Sequence, residues 1–417
     1  MTIRSKWSIF PRRHEGGLIV TTLTNDAARH VGRNRTSQVA AFSVDFDNWD
    51  TVAGNWDGAY RRGQATIFQH EKWLAAWYGA FAGQPGIEPL IATVRDRATG
   101  EVALLLPLIR RKLKRICVVE FADLELTDYN APLLGPAAPR EPKAAAILWR
   151  ELRLALRRLP GGADLIRFKK MPLDLQGGSN PLAMLDGAGL CSLNGNLVTT
   201  GEDFDQYKRS LKRDVRRVLE RSWRAFTAYP GAEFRIAGEN DEALRVLAAL
   251  DAQQSARMQH LGANFILGDG ACADFYRNLV RDGLSEGYAV LSALTVGEEV
   301  VATLFGVRSG PRYVMLRVSN AGDKWSACSP GRLVIERTMA ALHRDGVREF
   351  DFSVGDYDYK RRFGVTPLPL VDISAALSLR GLPYALRDRA ARELRNYPKL
   401  MAYLKRAPGK PLPREEN

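Results

Sequence analysis

Apolar positions recur with a helical or a strand period from about Ala41 to Leu379, and the elements follow from that period. In QHEKWLAAWYGAF, Trp73, Leu74, Trp77 and Phe81 share one face, which predicts an amphipathic helix with its aromatics in the core. Pro89–Val94 and Val102–Ile109 read as strands joined by the turn RDRATGE, and Ile116–Phe121 as a third strand. LTDYNAPLLG then carries turn chemistry, with Asp128 placed for an Asx-type turn ahead of Pro132. A helix over Pro142–Leu159 and a strand over Asp164–Phe168 complete a first α/β half, and MPLDLQGGSNP reads as loop.

A second half opens after Thr199. DFDQYKRSLKRDVRRVLERSWRAF sets Phe204, Tyr207, Leu211, Val215 and Val218 on one stripe of a single helix. Lys208, Arg209, Lys212, Arg213, Arg216 and Arg217 lie opposite, as a solvated face or an anion-contacting one. A strand over Glu233–Ala237 and two helices follow, the first over Asp241–His260. Tyr288–Thr295, Glu299–Arg308 and Tyr313–Ser319 form an antiparallel meander with tight turns. The helix 329–344 has Pro330 in its first turn and Gly346 at its exit, with Ser329 as the expected cap. The strand 347–353 ends at a polar, aromatic and cationic run, Asp356 to Arg362, expected as loop.

Composition adds limits. The net charge of +13 sits mainly at the ends: residues 1–40 supply +5 and residues 380–417 supply +6, leaving +2 between. A nearly neutral body argues against a nucleic-acid groove, while basic tails suit a solvated end or loose contact with an anionic membrane surface or RNA. Residues 1–40 hold no sustained period and read as a disordered leader, and 381–417 as a basic helix and frayed tail. Cys117, Cys191, Cys272 and Cys328 stand far apart, which argues against a disulfide framework and a zinc site and for a reducing cytoplasm. MTIRSKWSIFPRR lacks an apolar h-region, and the longest apolar run, Val102–Ile109, is too short for a bilayer. The expectation is a cytoplasmic protein, peripheral at the inner membrane surface at most.

No G-x-S-x-G, H-E-x-x-H or Walker loop occurs, and the five histidines are scattered. What remains is the order SPG (329–331), helix, then G-x-x-x-FDF-x-x-G-x-x-x-YK-x-x-FG from Gly346 to Gly364. This order resembles GNAT-type acyltransferases of the branch linked to bacterial cellulose and exopolysaccharide synthesis, a branch similar to Fem-type peptidyl transferases. The resemblance implies an α/β fold of two GNAT-like halves, 41–195 and 196–380, each a mixed, mostly antiparallel sheet flanked by helices.

It also implies acyl-CoA (acetyl-CoA) as co-substrate, no metal, and a small-molecule or glycan-precursor acceptor; aminoacyl-tRNA is the Fem-type alternative, and a silent accessory protein a third. Ser329, Gly331 and Arg332 become the donor's phosphate cradle, their bland role being a helix cap. Only one glycine lies in that turn. Lys360, with Tyr359 before it, becomes the partner of an oxyanion, or else one surface lysine beside Arg361 and Arg362. Asp351 reads as a base or a loop anchor, with Asp356 and Asp358 behind it. Arg213, Arg216 and Asp128 become candidate substrate contacts, the two arginines beside the acceptor cleft.

Overall fold

The computed structural model describes residues 40–268 and 270–395, so nearly all of the expected leader and the end of the expected C-terminal helix fall outside the described residues. Strand β1 (Phe42–Asp47) leads into helices α1 (Trp49–Arg62) and α2 (Glu71–Phe81). An antiparallel meander follows, β2 (Ile87–Asp96), β3 (Val102–Leu113) and β4 (Ile116–Phe121), with the short β5 (Leu133–Leu134) against β3. Helix α3 (Pro142–Arg157) crosses over to β6 (Leu165–Pro172), which runs parallel to β4. A small hairpin, β7 (Asp174–Leu175) and β8 (Gly178–Ser179), precedes the long β9 (Gly189–Thr199).

Helices α4 (Phe204–Ser210) and α5 (Arg213–Thr227) introduce the same sequence of elements again. It comprises β10 (Ala232–Ile236), α6 (Asn240–His260), α7 (Gly270–Gly283), then β11 (Ala289–Val296), β12 (Glu299–Ser309) and β13 (Arg312–Asn320). A 3-10 turn at Asp323–Cys328, helix α8 (Pro330–Arg344) and strand β14 (Glu349–Asp351) close it. As β4 and β6 do, β13 and β14 run parallel across a helix whose first residue is proline. The chain ends in α9 (Asp358–Arg361), β15 (Thr366–Ala376) and α10 (Leu382–Arg395).

The two repeats share one sheet, in the order β1-β2-β3-β4-β6-β15-β9-β14-β13-β12-β11-β10. β9, which follows the first repeat in the chain, pairs with β14 of the second. β15, which follows the second, pairs with β6 of the first. Each half thus receives a strand from the other, and β9 and β15 pair at the centre. The division expected at residue 195/196 falls inside β9. On one face, α2 and α7 pack directly, with Trp73 edge-on to Phe275 at 5.0 Å between ring centres. Leu219 and Phe226 of α5, Leu333 and Met339 of α8, and Phe350 and Phe352 form the core of the other face in the second half.

Several local expectations change. The helix over 203–226 is two helices, because Leu211 and Lys212 are extended, which sends Leu211 into the core while Ser210 Oγ donates to the Tyr207 carbonyl at 2.7 Å. The strand 347–353 keeps ladder geometry only at Glu349–Asp351, and the polar run after it contains α9. MPLDLQGGSNP is partly strand, carrying the end of β6 and the β7/β8 hairpin. β1, α1, β9 and β15 carried no expectation.

Candidate active site

β13 and β14 are paired over only three residues, Arg312–Val314 against Glu349–Asp351, while β13 runs on to Asn320. Where β14 stops, the chain turns sharply: Ser353 has φ +64°, a conformation that costs a non-glycine residue roughly 1–2 kcal/mol. A gap therefore opens at the C-terminal ends of two parallel strands, where open α/β sheets place their ligands.

Asp351 is fully buried at this point. Its Oδ1 accepts from the Tyr129 hydroxyl and from the Ser353 N–H, both at 2.7 Å, and its Oδ2 from Arg312 Nη2 at 2.8 Å. Burial and then the Asp351 charge push the Tyr129 phenol far up, so it stays a donor. Burial is the largest single influence on the Arg312 guanidinium and lowers it, but the charges of Asp351, Tyr129 and Glu349 and the Asp351 hydrogen bond together raise it. Tyr129 reaches across from the first half because residue 195 is glycine; a Cβ there would overlap the Tyr129 hydroxyl. With every lone-pair direction but one engaged, Asp351 ties the turn at Ser353 to Tyr129 and Arg312. Asp351→Ala should cost about 3 kcal/mol by leaving Arg312 partly buried without its partner. Urea denaturation checks this; a loss below about 1 kcal/mol would contradict the network.

Beside Asp351 lie Asp128 and Lys360. The Ser353 hydroxyl donates to Asp128 Oδ2 and accepts from the Val354 N–H at 2.6 Å. Burial lifts the Asp128 carboxyl to about 6, against the opposing pull of the Ser353 hydrogen bond. Lys360 is 3% exposed, so it is not the surface lysine that its arginine neighbours suggest. Its Nζ donates to Val354 O at 2.7 Å and Ser353 O at 3.4 Å, which leaves one of its three N–H groups. Burial lowers its pKa to about 8, with the charges of Asp128, Asp351 and Asp356 opposing. Asn196 of β9 holds the same turn, donating to Ser353 O and Gly355 O at 2.8 Å. Tyr359 is half-buried, its phenol pushed up to about 12 by burial, and it stacks on the exposed Tyr357. Asp356 and Asp358 are exposed and tied to Arg361.

The turn into α8 differs from the simple cap expected. Ser329 takes φ +44°, and its hydroxyl caps nothing, accepting instead from Arg332 Nη2 at 2.9 Å. The Ser329 N–H donates to Ser326 O and the Arg332 N–H to Ser329 O, so of the three expected cradle groups the Gly331 N–H remains among the described residues. Positive charge makes up the difference. Burial, then the charges of Arg362 and Arg221, lower the Arg332 guanidinium, which means three like charges converge on the first turn of α8. Neither Arg221 nor Arg362 stood out in the sequence as a site residue. Arg213 is exposed at the start of α5 and Arg216 lines a polar cleft of about 270 Å³ with Glu336 and Trp223. α5 packs on α8 and on the 3-10 turn before it.

Comparison with known proteins agrees with this geometry. Residues 213–361 match the family model described as an acetyltransferase (GNAT) domain, a span that holds α5, the α8 turn, Asp351 and Lys360 but not Asp128 or Tyr129. The second half is thus a transferase domain of the GNAT type. No curated protein matches the chain. Among solved structures, FemX superposes with a TM-score of 0.52 at 12% identity, over 76% of this chain and 95% of that one, and shares the fold. A tandem GNAT protein from the clavulanic acid biosynthesis pathway gives 0.44 at 13% identity, over 81% and 99%. The C-terminal domain of a putative lysylphosphatidylglycerol synthetase from Agrobacterium fabrum gives 0.46 at 12% identity, over 82% and 96%. Among the described residues no helix is long and apolar enough to cross a membrane, and no group of three or more His, Cys, Asp or Glu is arranged to hold a metal.

Proposed function

We propose that the protein moves an acyl group, in the simplest case acetyl, from acyl-CoA to an amine or hydroxyl of a small-molecule or glycan-precursor acceptor, in polysaccharide or cell-envelope biosynthesis. One observation carries the reading. The cationic turn of α8 and the Asp128–Ser353–Lys360 group lie at the same end of the β13/β14 gap, and Arg362 links them two residues after Lys360. The Gly331 N–H, Arg332, Arg221 and Arg362 hold the donor's pyrophosphate. The acceptor's nitrogen or oxygen attacks the thioester carbonyl and its proton passes to Asp128, whose raised pKa suits a base near neutrality. The free N–H of Lys360 stabilises the oxyanion, and the coenzyme A thiolate leaves. The pathway rests on the motif order from Ser329 to Gly364 alone.

Isothermal titration with coenzyme A tests the donor site. Gly331→Asp should abolish binding, because a Cβ at residue 331 meets nothing nearer than Asn320 Nδ2 at 3.4 Å. The side chain therefore fits, and the loss reports its charge against phosphate. Wild-type protein that shows no binding at about millimolar coenzyme A would sink the reading. A second reading, an aminoacyl group carried on tRNA, is favoured by the exposed Arg213, Arg217, Arg221 and Arg224 along α5. Salt-dependent tRNA binding together with absent coenzyme A binding would support it instead.

A further inference from the structure

On the other side of Arg312 and Tyr129 from the reacting groups lies a chamber of about 280 Å³ that the reading above does not use. It is built by both halves. Ile67 comes from the turn before α2, Leu173 and Leu175 from the β6–β7 segment, Leu197 from β9, and Leu368 and Leu370 from β15. Its volume is nearly twice that of an engineered apolar cavity of about 150 Å³ that stays dry and takes benzene, so a chain of roughly eight carbons fits.

The polar groups on the wall are few and mostly engaged. Thr66 is committed to the Gln69 side chain, donating at 2.7 Å, and Asp174 accepts from Ser179 at 3.2 Å and faces solvent. Tyr129 spends its proton on Asp351. Arg312 is the exception. Nη2 serves Asp351, Nη1 lies 3.8 Å from Glu349, and the side chain keeps 27% exposure beside the chamber. Asp174 and Gln176 of the lining are exposed to solvent, so Arg312 is the charged group set against the apolar walls; it selects an anion attached to an apolar chain over a cation attached to the same chain.

We propose that this chamber is the acceptor's seat, and that the acceptor carries an apolar group of roughly eight carbons and a carboxylate or phosphate held by Arg312. The word acceptor rests on the acyl-transfer reading; the seat itself does not. Arg312 and Tyr129 both bond to the carboxylate that positions Ser353, so a molecule seated against them lies one side chain away from Asp128.

The test is titration of the full chain with octanoate, octyl phosphate, octylamine and the shorter carboxylates hexanoate, butyrate and acetate. Octanoate or octyl phosphate should bind, and whichever is tighter names the anion; octylamine should bind at least about tenfold more weakly. Each methylene from butyrate to octanoate should tighten binding about threefold to fourfold. Leu368→Trp fills the chamber from a partly exposed position and should weaken octanoate at least about tenfold with coenzyme A affinity unchanged. Arg312→Gln should abolish the preference for octanoate over octylamine. If that variant fails to fold, the chain-length series and Leu368→Trp still decide. Equal binding of octylamine, an affinity flat with chain length, or an unaffected Leu368→Trp protein would overturn the proposal. So would octanoyl-CoA binding more tightly than coenzyme A by a margin that Leu368→Trp removes, since the chamber would then hold the donor's chain. Octanoate binding with no coenzyme A binding would keep the seat and discard the acyl-CoA reading.

Discussion

Lys360→Met protein should turn over at least about a hundredfold more slowly than wild type while binding coenzyme A almost as well, the loss typical of one oxyanion partner. Under the proposed function the two effects separate, because the phosphates would sit at the α8 turn, whereas Lys360 donates to the carbonyls of Ser353 and Val354. The pH profile sharpens the test. Lys360 donates only while protonated, so with its pKa at about 8 the rate should fall above that pH. Asp128 accepts a proton only while ionised, so with its pKa at about 6 the rate should fall below it. The profile of kcat/KM is a bell between these limits, and Lys360→Met should erase the alkaline limb and keep the acid one. Stability moves with the same groups. Lowering the lysine below its ordinary value makes the unfolded chain bind more protons between about pH 8 and 10.5, so this group favours the fold increasingly as pH rises through that window. Normal turnover in Lys360→Met protein would remove the residue from the mechanism.

A fragment of residues 200–380, the second half by sequence, should fail to fold. It carries the GNAT-type domain but lacks β9, the strand that pairs with β14 on the side away from β13, and it strands β15 without β6 or β9. Three residues of β14 on a bare edge cannot hold Phe350 and Asp351 in place. Expression with far-UV circular dichroism and thermal melting checks this. A soluble fragment that melts cooperatively would show that the exchanged strands are dispensable.

How far the sequence reached depends on whether a contact is local. The α2 face, the β11–β13 meander and the α8 crossover rest on periods of two or four residues, and the structure has each of them. β15 escaped because Pro367 and Pro369 demote TPLPLVDISAA, yet a strand between β6 and β9 accommodates both prolines at its start. The break at Leu211–Lys212 has no glycine or proline to announce it. Asp351 and Lys360 were visible through motif order, but their roles depend on partners 222 residues away or on a left-handed serine. Arg312 directly precedes the strand expected over Tyr313–Ser319 and carried no expectation. Nothing in one chain's local pattern tells a turn arginine from one that meets a buried carboxylate.

The exchange of β9 and β15 also decides how the protein can move. Two domains joined by a linker close over a ligand by swinging about a hinge. Here hydrogen bonds run without interruption from β1 to β10, and the central strands belong to both halves at once. Swinging one half would tear a ladder, so among the described residues the two halves are not joined by a hinge. Opening and closing must fall to short segments, above all the turn from Ser353 to Tyr357 above the gap. The clearance a substrate meets on entry is therefore nearly the clearance it has when bound. Selection happens at the doorway, by size and charge, before any rearrangement could commit the enzyme to a wrong guest.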